Sequence, residues 1–177
     1  MRRDELARLG VQLPVLPTVA LGGLPGGAGW AARLERIGLD VVASGAAHDT
    51  PETWAAARAE VPHRPVKGIA GDADALDLAG CRIIESDGYV PEGAYKLGPH
   101  EALIPAVVGT DPAVEDLNDV GVAILRAARH GIASELWAVA TPGLDRLPPD
   151  VVEAKLAALV EGARQARLAL AKEQFDL

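Results

Sequence analysis

The chain has 177 residues, of which 49% are hydrophobic and 24% charged, and its formal net charge is −8. That is apolar material for one domain with a real core, while the acidic balance excludes non-specific nucleic-acid binding and docking to an anionic membrane, which need clustered Lys and Arg. The single cysteine excludes an internal disulfide, and the apolar runs are too short and too broken by Gly and Pro to span a bilayer.

The first residues, Met1-Arg-Arg-Asp-Glu-Leu-Ala-Arg8, lack the apolar core of a signal peptide, so a cytoplasmic protein is expected. Val15–Leu21 reads as a strand running into Gly22-Gly23. The glycines at 22, 23, 26, 27 and 29 lack the Lys-Ser/Thr of a phosphate loop and do not form the Gly-x-Gly-x-x-Gly turn of a dinucleotide fold. Trp30, Leu34 and Ile37 have helical spacing, and Gly38 is a stop signal. Asp40–Ala43 reads as a short strand. Thr50-Pro51 supplies an N-cap and an N1 proline for a helix through Ala59. Pro65–Ile69 reads as a strand, Asp72–Leu78 as a short helix, and Cys81–Glu85 as another strand.

Residues Asp87 to Glu101 hold five Gly and Pro residues and read as a loop. Leu103–Val108 is the next strand, and Asp111-Pro112 reads as the cap of a helix running to His130. Leu136–Ala140 reads as the last strand. In the final helix, Pro148 to about Lys172, the residues Val152, Leu156, Leu159, Ala163, Ala166 and Leu170 mark one buried face.

Strand–helix alternation predicts parallel strands with right-handed crossovers. A complete (β/α)₈ barrel takes about 250 residues, so this length predicts a reduced TIM-barrel-like α/β domain of about six strands over residues 1–177. Its reactive end is expected at the carboxyl ends of the strands.

Several side chains there have both a chemical and a plain structural reading. His48 is a candidate proton-transfer base or an ordinary loop histidine before a helix. Glu85 and Asp87 share a face if their strand stays regular, and could then divide acid and base roles; otherwise Glu85 pairs with an arginine and only Asp87 faces the cavity. Tyr89, Tyr95, Lys96 and His100 are candidates for a lid. His63 belongs to the opposite face and reads as solvated. Glu115, Asp116 and Asp119 read as surface acids matched to a helix dipole. Cys81, at the start of its strand, reads as a core cysteine rather than a ligand. A zinc site of His48, Glu85, Asp87 and His100 has no tight ligand spacing to support it. There is no Gly-x-Ser-x-Gly and no Cys/His pair at the reactive end, so hydrolase triads are unsupported.

A run of ordered segments resembles the C-terminal barrel of cobalamin-independent methionine synthase, within the uroporphyrinogen decarboxylase-like superfamily. The segments are Leu16-Pro-Thr-Val-Ala-Leu-Gly-Gly-Leu-Pro25, Gly38-Leu-Asp-Val-Val-Ala-Ser-Gly45, Val66-Lys-Gly-Ile-Ala-Gly71, Ile83-Ile-Glu-Ser-Asp87, and Trp137 to Leu144 with the helix after it.

The resemblance implies that Asp87 holds the ammonium group of an amino-acid substrate and that the backbone of Leu21, Gly22 and Gly23 receives its carboxylate. It also shows losses. Ala46 stands where the family has a second ammonium-binding glutamate, Pro142 where it has a cysteine ligand, and the family's His-x-Cys pair does not occur. The expected site is Leu21, Gly22, Gly23, His48, Glu85, Asp87 and Thr141, with no metal ligand and no cofactor, zinc included. The function implied is binding of a small amino-acid-like or anionic molecule, with zinc-dependent methyl transfer lost. The alternatives are a metal-independent lyase or decarboxylase, or a non-catalytic partner subunit. An unclosed sheet edge would favour a homo-oligomer or a complex with a fuller homologue.

Overall fold

A computed structural model of the chain describes residues 2–98 and 103–175. Its elements are α1 (Arg2–Arg8), β1 (Thr18–Ala20), α2 (Ala31–Ile37), β2 (Val42–Ala43), α3 (Pro51–Glu60), β3 (Val66–Ile69), α4 (Ala73–Leu78), β4 (Ile83–Glu85), β5 (Tyr95–Leu97), β6 (Leu103–Val108), α5 (Leu117–His130), β7 (Trp137–Ala140) and α6 (Pro149–Phe175). The recorded strand pairs are all parallel. They form two sets, β6-β7-β1 reading β1-β7-β6 from the other side, and β2-β3-β4-β5. The Val41 N–H donates to the Thr18 carbonyl at 3.1 Å and links β1 to the start of β2.

The strands therefore run in cyclic chain order, with the last pair returned beside the first. A doubly wound sheet would reverse its order at a switch point. The cyclic order is that of a barrel, and the fold is α/β and barrel-like, as the alternation predicts. Among the described residues no helix is long and apolar enough to cross a membrane.

Side-chain alternation sorts the core into two layers. Ala20, Val42, Val66, Ile84, Ala138 and Ala140 pack outward against the helices. Val19, Leu21, Val41, Ile83, Leu97 and Val139 face inward around Tyr95 and Trp137. Those two rings lie 6.0 Å apart at their centroids, tilted by 34°. Leu6 of α1, with Leu9, Val11 and Leu13 behind it, packs on this inner cluster. The interior is thus a filled core rather than an open channel.

Local signals acted largely as the sequence suggests. Thr50 caps α3 in a reciprocal capping box with Thr53, and Pro51 opens the helix. Gly38 ends α2 in the left-handed region, its N–H on the Leu34 and Glu35 carbonyls. Val152, Leu156, Leu159, Ala163 and Ala166 of α6 are buried as one face.

Four features differ from the sequence reading. The N-terminal segment is helical. The expected loop after β4 contains a seventh strand, β5, paired with β4 from Ile83↔Tyr95 to Glu85↔Leu97. Tyr95 is therefore 2% exposed in the inner core and is no lid residue. The cap of α5 is Asp116, which accepts the Asn118 and Asp119 N–H groups, whereas Asp111 only turns the chain onto the Ala113 N–H.

Cys81 lies just before β4, against Gly68 and Leu76, its thiol donating to the Ile83 carbonyl at 3.2 Å. Burial pushes the thiol up to about 12, so it stays protonated at neutral pH. Native protein is accordingly expected to leave Cys81 unlabelled by a thiol-reactive dye at pH 8 and to release one equivalent in denaturant. Fast native labelling would contradict this burial.

Candidate functional site

The carboxyl ends of β1 and β4 and a long side chain from within β3 meet at one carboxylate. Glu85, the last residue of β4, accepts the Gly22 N–H at 2.8 Å through one oxygen and the Lys67 ammonium through the other. Lys67 is fully buried, and the Glu85 side chain keeps 15% of its exposure. The alternation of β3 explains the direction. Val66 packs in the helix-side core and Gly68 lies under Leu76 and Cys81, so Lys67 projects to the inside. A buried ammonium needs a partner, and Glu85 is its only hydrogen-bond acceptor among the described residues.

Glycines bring the surrounding loops close. A Cβ on Gly22 would lie 3.2 Å from Pro142 Cβ, and one on Gly23 would lie 3.1 Å from Ala47 Cα. The β1 loop is therefore pressed between the β7 and β2 loops. Gly45, at φ 98°, is tighter still, since a Cβ there would come within 2.5 Å of the Gly27 carbonyl oxygen.

The loop after β2 is fastened by Asp49, which is 4% exposed. Its carboxylate accepts Ser44 Oγ at 2.6 Å, Thr53 Oγ1 at 3.1 Å and the Ile69 N–H at 2.9 Å. Its own N–H donates to the Ile69 carbonyl at 2.8 Å.

A second ion pair has the same composition and a different aspect. Glu115 accepts the Gly109 N–H at 2.9 Å and the buried Lys155 ammonium at 2.8 Å through one oxygen. Its other oxygen is buried without a hydrogen bond among the described residues. Lys155 comes from α6, so this pair ties the end of β6 to the helix layer. Glu115 is thus not the free surface acid that the sequence suggests.

The expected residues are placed unevenly. Glu85 and Gly22 are joined directly, and the partner of Glu85 is a lysine rather than an arginine. Leu21 is buried in the inner core and spends its N–H on the Ala140 carbonyl at 3.1 Å. Gly23 lies beside them, and its N–H has no hydrogen bond among the described residues. Thr141 uses its hydroxyl on the Val108 carbonyl at 2.9 Å, fastening β7 to β6.

His48 is exposed at the same end, its Cβ 3.7 Å from where a Cβ on Gly71 would stand. Asp87 lies past the end of β4, where the strand regularity has stopped, and is exposed; its backbone carbonyl accepts Lys96 Nζ at 3.5 Å. The pairing of Asp87 with Glu85 on one strand face therefore does not form. Tyr89 is exposed on the same loop, and His100 lies outside the described residues.

Sequence reasoning gave no role to Lys67 or Asp49. Lys67 had a usable signal, as the one charge inside a short apolar strand. Asp49 had a weaker one, a carboxylate flanked by Ser44, Thr50 and Thr53.

Among the described residues no group of three or more His, Cys, Asp or Glu side chains is placed to hold a metal ion. The single thiol is buried on the helix side with its proton held, so this donor set does not fit a thiolate zinc centre.

What the fold and site define together is an α/β barrel-like protein with an inward lysine–glutamate pair at the carboxyl ends of its strands. No family model and no curated protein matches the chain. Among solved structures it is similar to a B12-independent methionine synthase from Shewanella sp. W3-18-1 in complex with selenomethionine. The identity is 15% and the TM-score 0.36, over 99% of this chain and 67% of that one. A superposition at that level bears on neither substrate nor mechanism.

Proposed function

We propose that the chain binds a small zwitterion of the amino-acid type at the Glu85–Lys67–Gly22 cluster. The observation that carries this reading is the meeting of a buried ammonium, a partly exposed carboxylate and backbone N–H groups at the carboxyl ends of parallel strands, where α/β folds place their ligands. A zwitterion is the complement of that set. Its carboxylate takes the Gly23 N–H, with the Lys67 charge beneath. Its ammonium takes the Glu85 carboxylate, with Asp87 and His48 at the rim. In the unliganded protein Glu85 accepts the Lys67 ammonium and the Gly22 N–H, and it keeps both while the ligand ammonium docks on its exposed side, so binding opens no bare charge. Methyl transfer through a zinc-bound thiolate is not part of this reading, because the donor set does not fit it.

The test is a ligand series on the wild-type protein, read as thermal shift. Methionine and homocysteine are expected to raise the melting temperature. At a concentration about 100 times Kd the gain is about 2.7 kcal/mol, and a chain of this size moves by about 2–4 °C per kcal/mol. Methionine methyl ester, which lacks the carboxylate, and 3-(methylthio)propionate, which lacks the ammonium, should give much smaller shifts. Equal shifts with all four compounds, or none with any, would sink the proposal.

A further inference from the structure

A second cleft lies at the other end of the strands. It is walled by the turn after α1, by Trp54 and Arg58 of α3, by the Pro62–Pro65 turn before β3, and by Gly80 to Ile83 before β4. Its volume is about 350 Å³, within the range of small-molecule sites. The charged residues lining it are of one sign, Arg58, Arg64 and Arg82, with His63 beside them and no Asp or Glu. This is unexpected in a chain whose net charge is −8.

The protein neutralises only one of the three guanidinium charges. Arg58 donates through Nη1 to two neutral carbonyls, Val61 at 3.3 Å and Pro62 at 2.5 Å. Arg82 donates through Nη1 to Asp77 at 2.8 Å and to the Gly93 carbonyl at 2.9 Å. Arg64 is half-buried, and among the described residues its side chain has no hydrogen bond or ion pair. Three guanidinium groups are therefore set against the one carboxylate of Asp77, which leaves two formal positive charges. Each guanidinium has five N–H donors in a planar fork, and Arg58 and Arg82 use only Nη1.

We infer that this cleft binds the phosphate group of a small organic phosphate. A single carboxylate would offset half of the surplus charge. A phosphate monoester carries about −1.5 to −2 at neutral pH and three acceptor oxygens, which matches both the charge and the unused donors. Val11, Pro65 and Val66 give the cleft an apolar side for the organic part. Nucleic acid is disfavoured, because it needs a basic track along the surface rather than one pocket in an acidic protein. This site is separate from the Glu85 carboxylate, which lies at the opposite end of β4.

The experiment is calorimetric titration of the full chain with phenyl phosphate and with benzoate, at one fixed ionic strength. The two share an aromatic body and differ in the anionic group. Phenyl phosphate is expected to bind roughly tenfold tighter than benzoate, and Arg64→Ala to weaken it by roughly tenfold or more, as loss of a charge-assisted bidentate contact does. Arg64→Lys should recover only part of the loss. Arg164→Ala, which removes an exposed ion-pair partner on α6, should leave it unchanged. Arg64 lies in a turn, and unchanged circular dichroism of its variants would show that they fold. Equal affinity for the two anions, absence of measurable phenyl phosphate binding, or an equal loss in Arg164→Ala would each overturn the assignment.

Discussion

Replacing Lys67 with Met is expected to destabilise the protein by about 3 kcal/mol in urea unfolding and to abolish the methionine-induced thermal shift. Lys67 is fully buried, and Glu85 is its hydrogen-bond partner. Methionine fills the space of the lysine stem but leaves a carboxylate facing a low-polarity interior. Removing one member of a buried pair commonly costs 3–5 kcal/mol, roughly, and the lower end applies because Glu85 keeps some exposure to water. The double variant Lys67→Met/Glu85→Leu should recover most of the loss. It retains a deficit of about 1 kcal/mol from the Gly22 N–H, which loses its acceptor. The same double variant should remain unresponsive to methionine. Stability and binding thus separate, since only the first returns when both charges are removed. If Lys67→Met unfolds at the wild-type urea concentration, the pair contributes nothing and the site reading fails with it.

Lys67 also shows where the sequence was legible. Fold class follows from features that repeat: short β-branched runs, capped helices, and the heptad-like face of α6. These signals are local, and the structure has them within a few residues. What does not repeat is harder to read. β5 spans only Tyr95–Leu97, too short for alternation to stand out, and it follows a Pro-Glu-Gly turn that marks the whole stretch as loop. Tyr95 therefore reads as a lid residue, although pairing with β4 turns it into the core beside Trp137. The start of α5 is ambiguous for another reason. Asp111 and Asp116 both turn the chain through a carboxylate-to-N–H bond, and only the longer structure decides which one opens a helix.

The site follows the same division. Glu85 and Gly22 stand 63 positions apart in the chain, and nothing in either segment announces the other. Their meeting depends on β1 and β4 lying around one interior, which is a property of strand order. Asp87 shows the converse error. Two carboxylates at positions i and i+2 share a face only while the strand persists, and β4 ends at Glu85. The regular spacing was real, but the backbone that would give it meaning had already bent away.

The second large effect is expected at Asp49. Asp49→Ala should lower stability by about 3 kcal/mol, because it removes a charged acceptor from three donors at once, each worth about 1–3 kcal/mol when left unsatisfied in a buried place. Of these, the Ile69 N–H and the Ser44 hydroxyl lie in the buried part of the network, while Thr53 can turn to water or to the Thr50 carbonyl. Asp49→Asn should cost about half as much, since one oxygen remains to accept and the Ser44 hydroxyl can rotate to receive the amide. The consequence for function is local. Ser44 also holds the Ala46 N–H at 3.0 Å, so the segment from Ser44 to Thr50, with His48 on it, is organised by this one carboxylate. Hydrogen exchange should accordingly speed up at Ala46, Asp49 and Ile69 in Asp49→Ala, by more than the global loss of stability accounts for, while amides in α5 and α6 follow the global change. Uniform exchange across all helices would mean that Asp49 stabilises the fold as a whole and does not position the loop. A loosened loop beside an intact Lys67–Glu85 pair should weaken methionine binding without abolishing it, and that graded response distinguishes a residue that positions the site from one that contacts the ligand.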